Sequence, residues 1–461
     1  MNCENGLIRL EKEVAALGKT DAYKRLELLF DNGTYTELDR FQKNGDSACG
    51  VVTAFGTVNG IGCYAYSQDI TVLSGAMGRS QSAKIKKVYE LALMNGAPIV
   101  GIFDSKGAFA DEGVDALNAY GDLIAAAGKI SGVVPQISVI AGKCIGSAAL
   151  LATLADLTVM VDGAELCVNS AAITGEKTVG TAESSAKNGT VSIVAENDEI
   201  ALTNVKELLS FLPENNLSVS LSADYVPATI NGEGVYCDIS NVVDADSFLE
   251  INKSFGGCAK VGFARVAGNA VGVVATDVSK NDGYLCDKGA TKITRFVRLC
   301  DAFSIPIVTL LNSKGFMGKA EDELSGSVRS VAALTGAYAE ATTAKVTVIV
   351  GKAYGAAFTV FAGKGSSADL CFAIADAEIC ALNPTTAVQF MYLDRLGEET
   401  REDLEKEYVL TEGSPFKAAV NGAIDDIITT DTVAENVIKA LDMMASKRVN
   451  TLDKKHSNMP Y

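Results

Sequence analysis

Residues 136–149, "QISVIAGKCIGSAA", and residues 345–358, "KVTVIVGKAYGAAF", are two versions of one segment. In each, a run rich in β-branched and apolar residues predicts a buried strand, and Gly-Lys-x-x-Gly predicts the turn at its end. The small, Ala-rich residues that follow favour a helix. A strand that turns through glycine into a helix, written twice, sets the fold class as α/β.

The repetition extends outward from this segment. "VNG" at 58–60 corresponds to "VAG" at 266–268, Lys84-Ile85 to Lys292-Ile293, and "PIVGIFDSKG" from Pro98 to "PIVTLLNSKG" from Pro306, each pair 208 residues apart. The opening pair lies 209 apart, and "AELC" at 164–167 and "AEIC" at 377–380 lie 213 apart. So small a drift means a tandem duplication of one domain. Within each copy, Ile85, Val88, Tyr89 and Ala92, or Ile293, Phe296, Val297 and Cys300, recur at helical spacing and predict a helix with one buried face. Ile99–Phe103 and Ile307–Leu311 predict buried strands stopped by Ser-Lys-Gly.

Composition narrows the function classes. At 461 residues and 48% hydrophobic, the chain is long enough for two cores. Its net charge of −17 opposes binding to phosphate backbones, so no nucleic acid partner is expected. The N-terminus has an acidic, amphipathic helical pattern without the features of a signal peptide, and no stretch has membrane-spanning length, so a soluble, cytoplasmic protein is expected. Eleven scattered cysteines without a C-x-x-C pair read as reduced core residues, not zinc ligands or disulfides, and no metal site is expected. The single histidine, His456, sits in the tail, so Ser-His-Asp catalysis and histidine acid–base chemistry lack their central residue.

Backbone chemistry needs no histidine. Gly146 with Ser147 and Gly355 with Ala356 fall where a strand passes into a helix, a place with unpaired N–H groups. The turns Gly107-Ala108 and Gly315-Phe316 end the neighbouring strands. One donor from each turn makes an oxyanion hole. The other reading is that these are packing glycines only, and the residues alone leave both open.

Beyond these motifs, "GVVTAFGTVNG", "YSQDITVLSGAMG", "GAPIVGIFDSKGAFADEGVDAL", "SGVVPQISVIAGKCIGSAAL", "FLPENN", "RFVRLCDAFSIPIVTLLNSKGF", "AEATTAKVTVIVGKAYGAAFT" and "NGAIDDII" resemble the carboxyltransferase component of biotin-dependent acyl-CoA carboxylases, the propionyl-CoA and methylmalonyl-CoA types above all. The resemblance covers almost the whole chain. It implies two crotonase-like domains of β-β-α spirals, 1–212 on the acyl-CoA side and 238–461 on the biotin side, joined by a polar linker at 213–237. It implies carboxyl transfer between carboxybiotin on a separate biotin carboxyl carrier protein and a short-chain acyl-CoA. Gly146, Ser147, Gly107 and Ala108 would face the CoA thioester, and Gly355, Ala356, Gly315 and Phe316 the ureido carbonyl of biotin. By composition Tyr354, Phe358 and Thr359 read as core, whereas the resemblance puts them at the substrate, Thr359 as acyl-chain wall.

The resemblance also implies a homo-oligomer, a dimer or a ring of dimers, and as partner either a biotin carboxylase or a membrane decarboxylase subunit. The chain departs from the family pattern at the turns: "DSKGAF" at 104–109 puts Lys106 in a glycine position and Phe109 in an arginine position, and "CIGSA" carries Ile145 and Ser147. Lys106 and Lys314 read either as solvated side chains or as cations beside a CoA phosphate or an oxyanion. Three functions follow: the synthetic transferase, the same transfer in reverse within a decarboxylase, or a silent acyl-CoA-binding paralogue.

Overall fold

The apolar runs of both copies are strands buried on both faces. All seven residues of Ile99–Ser105 and all seven of Ile307–Ser313 are buried, as parallel strands covered on both sides must be. The computed structural model describes residues 6–17, 19–45, 47–228, 238–450 and 452–458, and the chain divides into two compact units, Met1–Val219 and Ser220–Tyr461.

In the first unit the strands run β1 (Tyr35–Leu38), β2 (Lys43–Asn44), β3 (Ser47–Ala48), β4 (Val51–Val58), β5 (Ile61–Gln68), β6 (Ile99–Ser105), β7 (Gln136–Ile145), β8 (Leu157–Val161), β9 (Glu165–Cys167) and β10 (Ile193–Ala195). The main sheet has the order β1-β4-β5-β6-β7-β8-β10, with β9 beside the end of β7. It is antiparallel through the β4–β5 hairpin and parallel from β5 onward.

The second unit has β11 (Leu249–Ile251), β12 (Ala259–Val266), β13 (Asn269–Thr276), β14 (Ile307–Ser313), β15 (Lys345–Tyr354), β16 (Leu370–Ile374), β17 (Glu378–Cys380) and β18 (Asp426–Ile428). Its order, β11-β12-β13-β14-β15-β16-β18 with β17 beside β15, repeats the first sheet strand for strand.

The helices Arg79–Asn95 and Asp287–Ala302 bury the faces the spacing predicts: Ile85, Val88, Tyr89 and Ala92 in one, Ile293, Phe296, Val297 and Cys300 in the other. Each such aliphatic or aromatic side chain removed from water contributes roughly 1.5–3 kcal/mol. Both helices also bury a lysine. Lys84 donates to the Val51 carbonyl at 3.0 Å and Lys292 to the Ala259 carbonyl at 2.8 Å, so each ammonium closes a free carbonyl at a strand start.

The acidic stretch 398–408 lies largely in the helix Arg401–Glu412, which buries Leu404 and Tyr408; an i, i+4 pair is enough to dock a helix whose other faces are charged. One expectation is refined. Of the polar stretch 213–237, residues 213–228 contain no helix or strand and residues 229–237 lie outside the described residues. Asn215 nonetheless holds the Gly96 carbonyl at 2.8 Å. No helix among the described residues is long and apolar enough to cross a membrane.

A buried ion-pair cluster supports the turn of the first unit. Arg25 is buried in the first, with Asp104 at 3.0 Å and Asp198 at 2.8 Å, whereas the position of Asp104 is held in the second by the neutral Asn312. Removing the guanidinium leaves two carboxylates without a counter-charge, so Arg25→Leu is expected to lower stability by about 3–5 kcal/mol in urea unfolding followed by circular dichroism. Adding Asp104→Asn, which copies the second unit, is expected to restore part of that loss; no recovery would show that Asp104 is not the group Arg25 neutralises.

Candidate active site

Each letter of the Gly-Lys-x-x-Gly segment has a separate task. The pairing of β6 with β7 shifts register between Phe103 and Ser105, and that of β14 with β15 between Leu311 and Ser313. The residue in the shift, Asp104 or Asn312, lies over the first glycine of the motif. A Cβ at Gly142 would stand 2.1 Å from Asp104 Oδ1, and one at Gly351 2.4 Å from Asn312 Oδ1, so only glycine admits the overlying side chain. The same oxygen accepts the next backbone N–H, from Lys143 at 3.1 Å or Lys352 at 2.9 Å.

The lysine side chain then reaches the added strand, pairing with Glu165 of β9 in the first unit and, at 3.6 Å, with Glu378 of β17 in the second. The last glycine makes the turn: Gly146 has φ 66° and Gly355 φ 52°, a region that side-chain-bearing residues avoid.

Beyond these glycines start the helices Ser147–Thr153 and Ala356–Phe361. Here the expectation needs correction. Gly146 commits its own N–H to the Cys167 carbonyl at 3.0 Å, and Gly355 commits its N–H to the Cys380 carbonyl at 2.9 Å, because β9 and β17 continue the sheet alongside them. The free donors are one residue later, at Ser147 and Ala356, whose N–H groups open the helices and have no partner among the described residues.

The neighbouring turns are corrected the same way. Gly107 donates to Ser105 Oγ at 3.1 Å and Gly315 to Ser313 Oγ at 3.2 Å. The carbonyls of Gly107 and Gly315 accept from Met77 and Leu285 at 2.9 Å each, and Phe109 and Met317 donate back at 2.9 and 2.8 Å. Among the described residues this leaves the N–H groups of Ala108 and Phe316 without partners. Gly107 packs closely on the last residue of β7, since a Cβ there would be 3.0 Å from the Ile145 carbonyl. Each unit therefore ends two adjacent parallel strands in one unpartnered donor apiece: Ala108 and Ser147 in the first, Phe316 and Ala356 in the second. Such a pair can stabilise an oxyanion without an ionisable side chain.

Lys106 is exposed and has no ion-pair partner among the described residues; its N–H bonds the Ser74 carbonyl at 3.3 Å. Lys314 is held by Asp282 at 3.1 Å and lies 5.8 Å from the Tyr284 ring centre. Phe109, Ile145 and Phe358 are half-buried, and Thr359 shares the open side of its helix with Ala356 while Ala357, Val360 and Phe361 face the core.

Tyr354 is not at the open side. It is buried with Cys380, Ala387 and Tyr408, and its hydroxyl donates to Glu378. Burial, with the Glu378 carboxylate, raises its pKa far above the ordinary phenol value. It anchors β15 to β17. Asp104, Asn312, Ser105 and Ser313 went unrecognised as the parts that fix these turns, though "DSKG" and "NSKG" repeat in the sequence. His456 is exposed, and among the described residues no group of His, Cys, Asp and Glu could hold a metal.

Residues 13–459 match the carboxyl transferase domain. The chain belongs to the carboxyl transferase family. This carboxyltransferase is 34% identical to the methylmalonyl-CoA decarboxylase subunit alpha of Propionigenium modestum, over 99% of its own length and 96% of the relative's. It is 36% identical to the propionyl-CoA carboxylase beta chain of Saccharopolyspora erythraea, over 96% and 91%. Among solved structures it superposes on the hexameric transcarboxylase 12S, with methylmalonyl-CoA and methylmalonic acid bound, at a TM-score of 0.89 and 32% identity, over 98% of this chain and 95% of that one. That fold is crotonase-like and duplicated, as the two matching sheets are here. The carboxyltransferase is thus an enzyme of the biotin-dependent class, which uses CoA thioesters.

The seryl hydroxyls give the site its first test. Ser313→Ala removes the acceptor of the Gly315 N–H and is expected to speed amide exchange in the peptide spanning Lys314–Met317, through loss of a bond worth about 1 kcal/mol. Unchanged exchange there, read by mass spectrometry, would show that the hydroxyl does not hold the turn.

Proposed function

We propose that this carboxyltransferase moves a carboxyl group between carboxybiotin, presented by a separate carrier protein, and a short-chain acyl-CoA, converting acetyl- or propionyl-CoA to malonyl- or methylmalonyl-CoA. The observation that carries the reading is the duplicated donor pair. A transfer between two carbonyl compounds creates negative charge on two oxygens, and the chain has two equivalent places to receive it. The Ala108 and Ser147 N–H groups are assigned to the thioester oxygen of the acyl-CoA, in the domain of residues 1–212. The Phe316 and Ala356 N–H groups are assigned to the ureido oxygen of biotin, in the domain of residues 238–461, with residues 213–237 as linker.

Carboxybiotin, as a substrate, supplies the carboxylate and afterwards a basic ureido nitrogen for the α-proton of the acyl-CoA. The protein's task is orientation and charge stabilisation, which is why one tail histidine suffices. Thr359, on the open side beside Ala356, is assigned to the acyl wall together with half-buried Phe358. Exposed Lys106 is free to meet a CoA phosphate.

The reverse direction has specific support, because two methylmalonyl-CoA decarboxylase alpha subunits, from Propionigenium modestum and Veillonella parvula, are 34% and 35% identical to this chain. The partner completing the cycle is then a membrane decarboxylase subunit, and in the synthetic direction a biotin carboxylase. A cytoplasmic homo-oligomer, a dimer or a ring of dimers, is proposed in either case. Apolar side chains left exposed on the first unit, among them Leu150 at 47% and Ile173 at 75%, support burial against another copy.

The first experiment is biotin-dependent release of CO2 from methylmalonyl-CoA and malonyl-CoA by the purified protein. Ser147→Pro and Ala356→Pro are the decisive variants: proline suits the first position of a helix, so each substitution deletes one N–H and little else. Each is expected to lower kcat by about 10²–10³-fold, the loss that follows removal of one oxyanion donor. Ser147→Ala, which keeps the N–H, is expected to stay close to wild type. Full activity in both proline variants would refute the donor assignment, and CoA binding without any biotin-dependent turnover would identify a silent paralogue.

A further inference from the structure

Cys258 and Cys286 face each other in the second unit with their sulfur atoms 3.1 Å apart, and both are free thiols. Cys258 directly precedes β12 and is 2% exposed; Cys286 is half-buried at the residue before the helix Asp287–Ala302. The Cys286 N–H points to Cys258 Sγ at 3.3 Å. Gly289 makes room for the pair, since a Cβ there would stand 2.4 Å from Cys258 Sγ.

The duplication provides an internal control. Gly50 stands in the first unit where Cys258 stands in the second, and Gly78 where Cys286 stands, so neither sulfur has a counterpart there. The helix start at Gly78 is capped by a carboxylate: the Arg79 N–H donates to Glu112 Oε2 at 2.7 Å, and a Cβ at Gly78 would lie 2.4 Å from Glu112 Oε1. In the second unit Ala320 replaces Glu112, and Cys286 occupies the place that the anion fills in the first.

The surroundings of Cys286 favour a thiolate. With Cys258 as the donor across the sulfur–sulfur contact, and with the Gly289 and Lys288 N–H groups of the helix start adding to the effect, the pKa of Cys286 is lowered while that of Cys258 is raised. Buried Lys292 interacts electrostatically with both sulfurs and with Glu250. Cys49, one residue from the position equivalent to Cys258, is by contrast pushed up by burial to about 11.

The geometry points to Cys286 and Cys258 as a reversible dithiol–disulfide couple, Cys286 attacking a hydroperoxide and Cys258 resolving the product. In the first step the Cys286 sulfur bonds one peroxide oxygen, the O–O bond breaks, and the departing oxygen leaves as water or alcohol after taking a proton. In the second, Cys258 attacks the sulfenic sulfur, an S–S bond replaces the S–O bond, and hydroxide leaves with the Cys258 proton as water. Two electrons pass from the sulfurs to the peroxide, and an external dithiol returns them.

The couple adjoins the second donor pair. Leu285, the residue before Cys286, holds the turn that carries Phe316: its N–H bonds the Gly315 carbonyl at 2.9 Å, and its carbonyl accepts from Met317 at 2.8 Å. Drawing Cys286 toward Cys258 strains this strap. The effect on activity rests on the proposed role of the Phe316 and Ala356 donors; the disulfide itself does not.

The test treats the full-length protein with hydrogen peroxide, blocks residual thiols and maps cross-linked peptides by mass spectrometry. The expected result is a Cys258–Cys286 link that dithiothreitol reverses, that Cys286→Ser abolishes while keeping a good helix cap, and that Cys258→Ala replaces by a dimedone-trapped sulfenic acid on Cys286. Alkylation of Cys286 no faster than of the buried cysteines, or a link between other cysteines, overturns the couple. In the same sample, biotin-dependent decarboxylation is expected to fall by about 10²-fold on oxidation, as when an oxyanion donor is displaced, and to return on reduction. A disulfide that leaves this rate unchanged overturns the link to the turn, whereas inactivity of the reduced protein counts against the proposed function and leaves the couple to the mass spectra.

Discussion

The close approach of one side chain to one glycine organises both halves of this molecule. Where Asp104 lies on Gly142 and Asn312 on Gly351, two parallel strands shift register, and an oxygen that would otherwise be a buried orphan takes a backbone N–H of the adjacent strand. The shift separates each strand end into a turn that can be pinned residue by residue. Neighbouring hydrogen bonds then consume the turn's donors until one remains on each side. The arrangement resembles a β-bulge in its effect, re-aiming a strand end at a working surface.

Two copies of a frame need not carry the same charges. The first unit supports its lock with an ion pair that includes Arg25 and Asp198; the second uses an amide and has no such cost of desolvation. The helix that follows each hairpin begins with an anion in the first unit and a sulfur in the second. These differences lie beside equivalent turns, so the surroundings have diverged while the backbone geometry has not. A site composed of main-chain groups permits this, because its essential atoms are common to every residue except proline.

Much of this was legible in the letters. The duplication, the strands Ile99–Ser105 and Ile307–Ser313, the buried faces of the helices after each hairpin, and the location of the turns all followed from period and repetition. The donors were expected on the pairs Gly146-Ser147 and Gly355-Ala356, and in each pair the glycine N–H is already taken. The reason is that β9 and β17 are three-residue strands, too short for a pattern to announce, and they pair along the turn and absorb the glycine N–H groups. Tyr354 had two readings, because aromatic residues at strand ends suit a pocket or a core equally well; the fold, by bringing Glu378 and Tyr408 to it, gives the core reading. Buried Lys84 and Lys292 appeared as repeated letters whose purpose depended on carbonyls about 33 residues away.

The pinning of Gly146 to Cys167 and of Gly355 to Cys380 has a consequence for how such chains change over generations. Because the donor that remains belongs to the peptide and not to a side chain, positions 106, 109, 145 and 147 can exchange letters without altering what the turn offers. Packing instead limits substitution at the overlaid glycines, the aspartate or asparagine above them, and the serine two residues before the next glycine. The two halves of this chain already illustrate the point, keeping both glycines and the serine while their turns differ at the positions between.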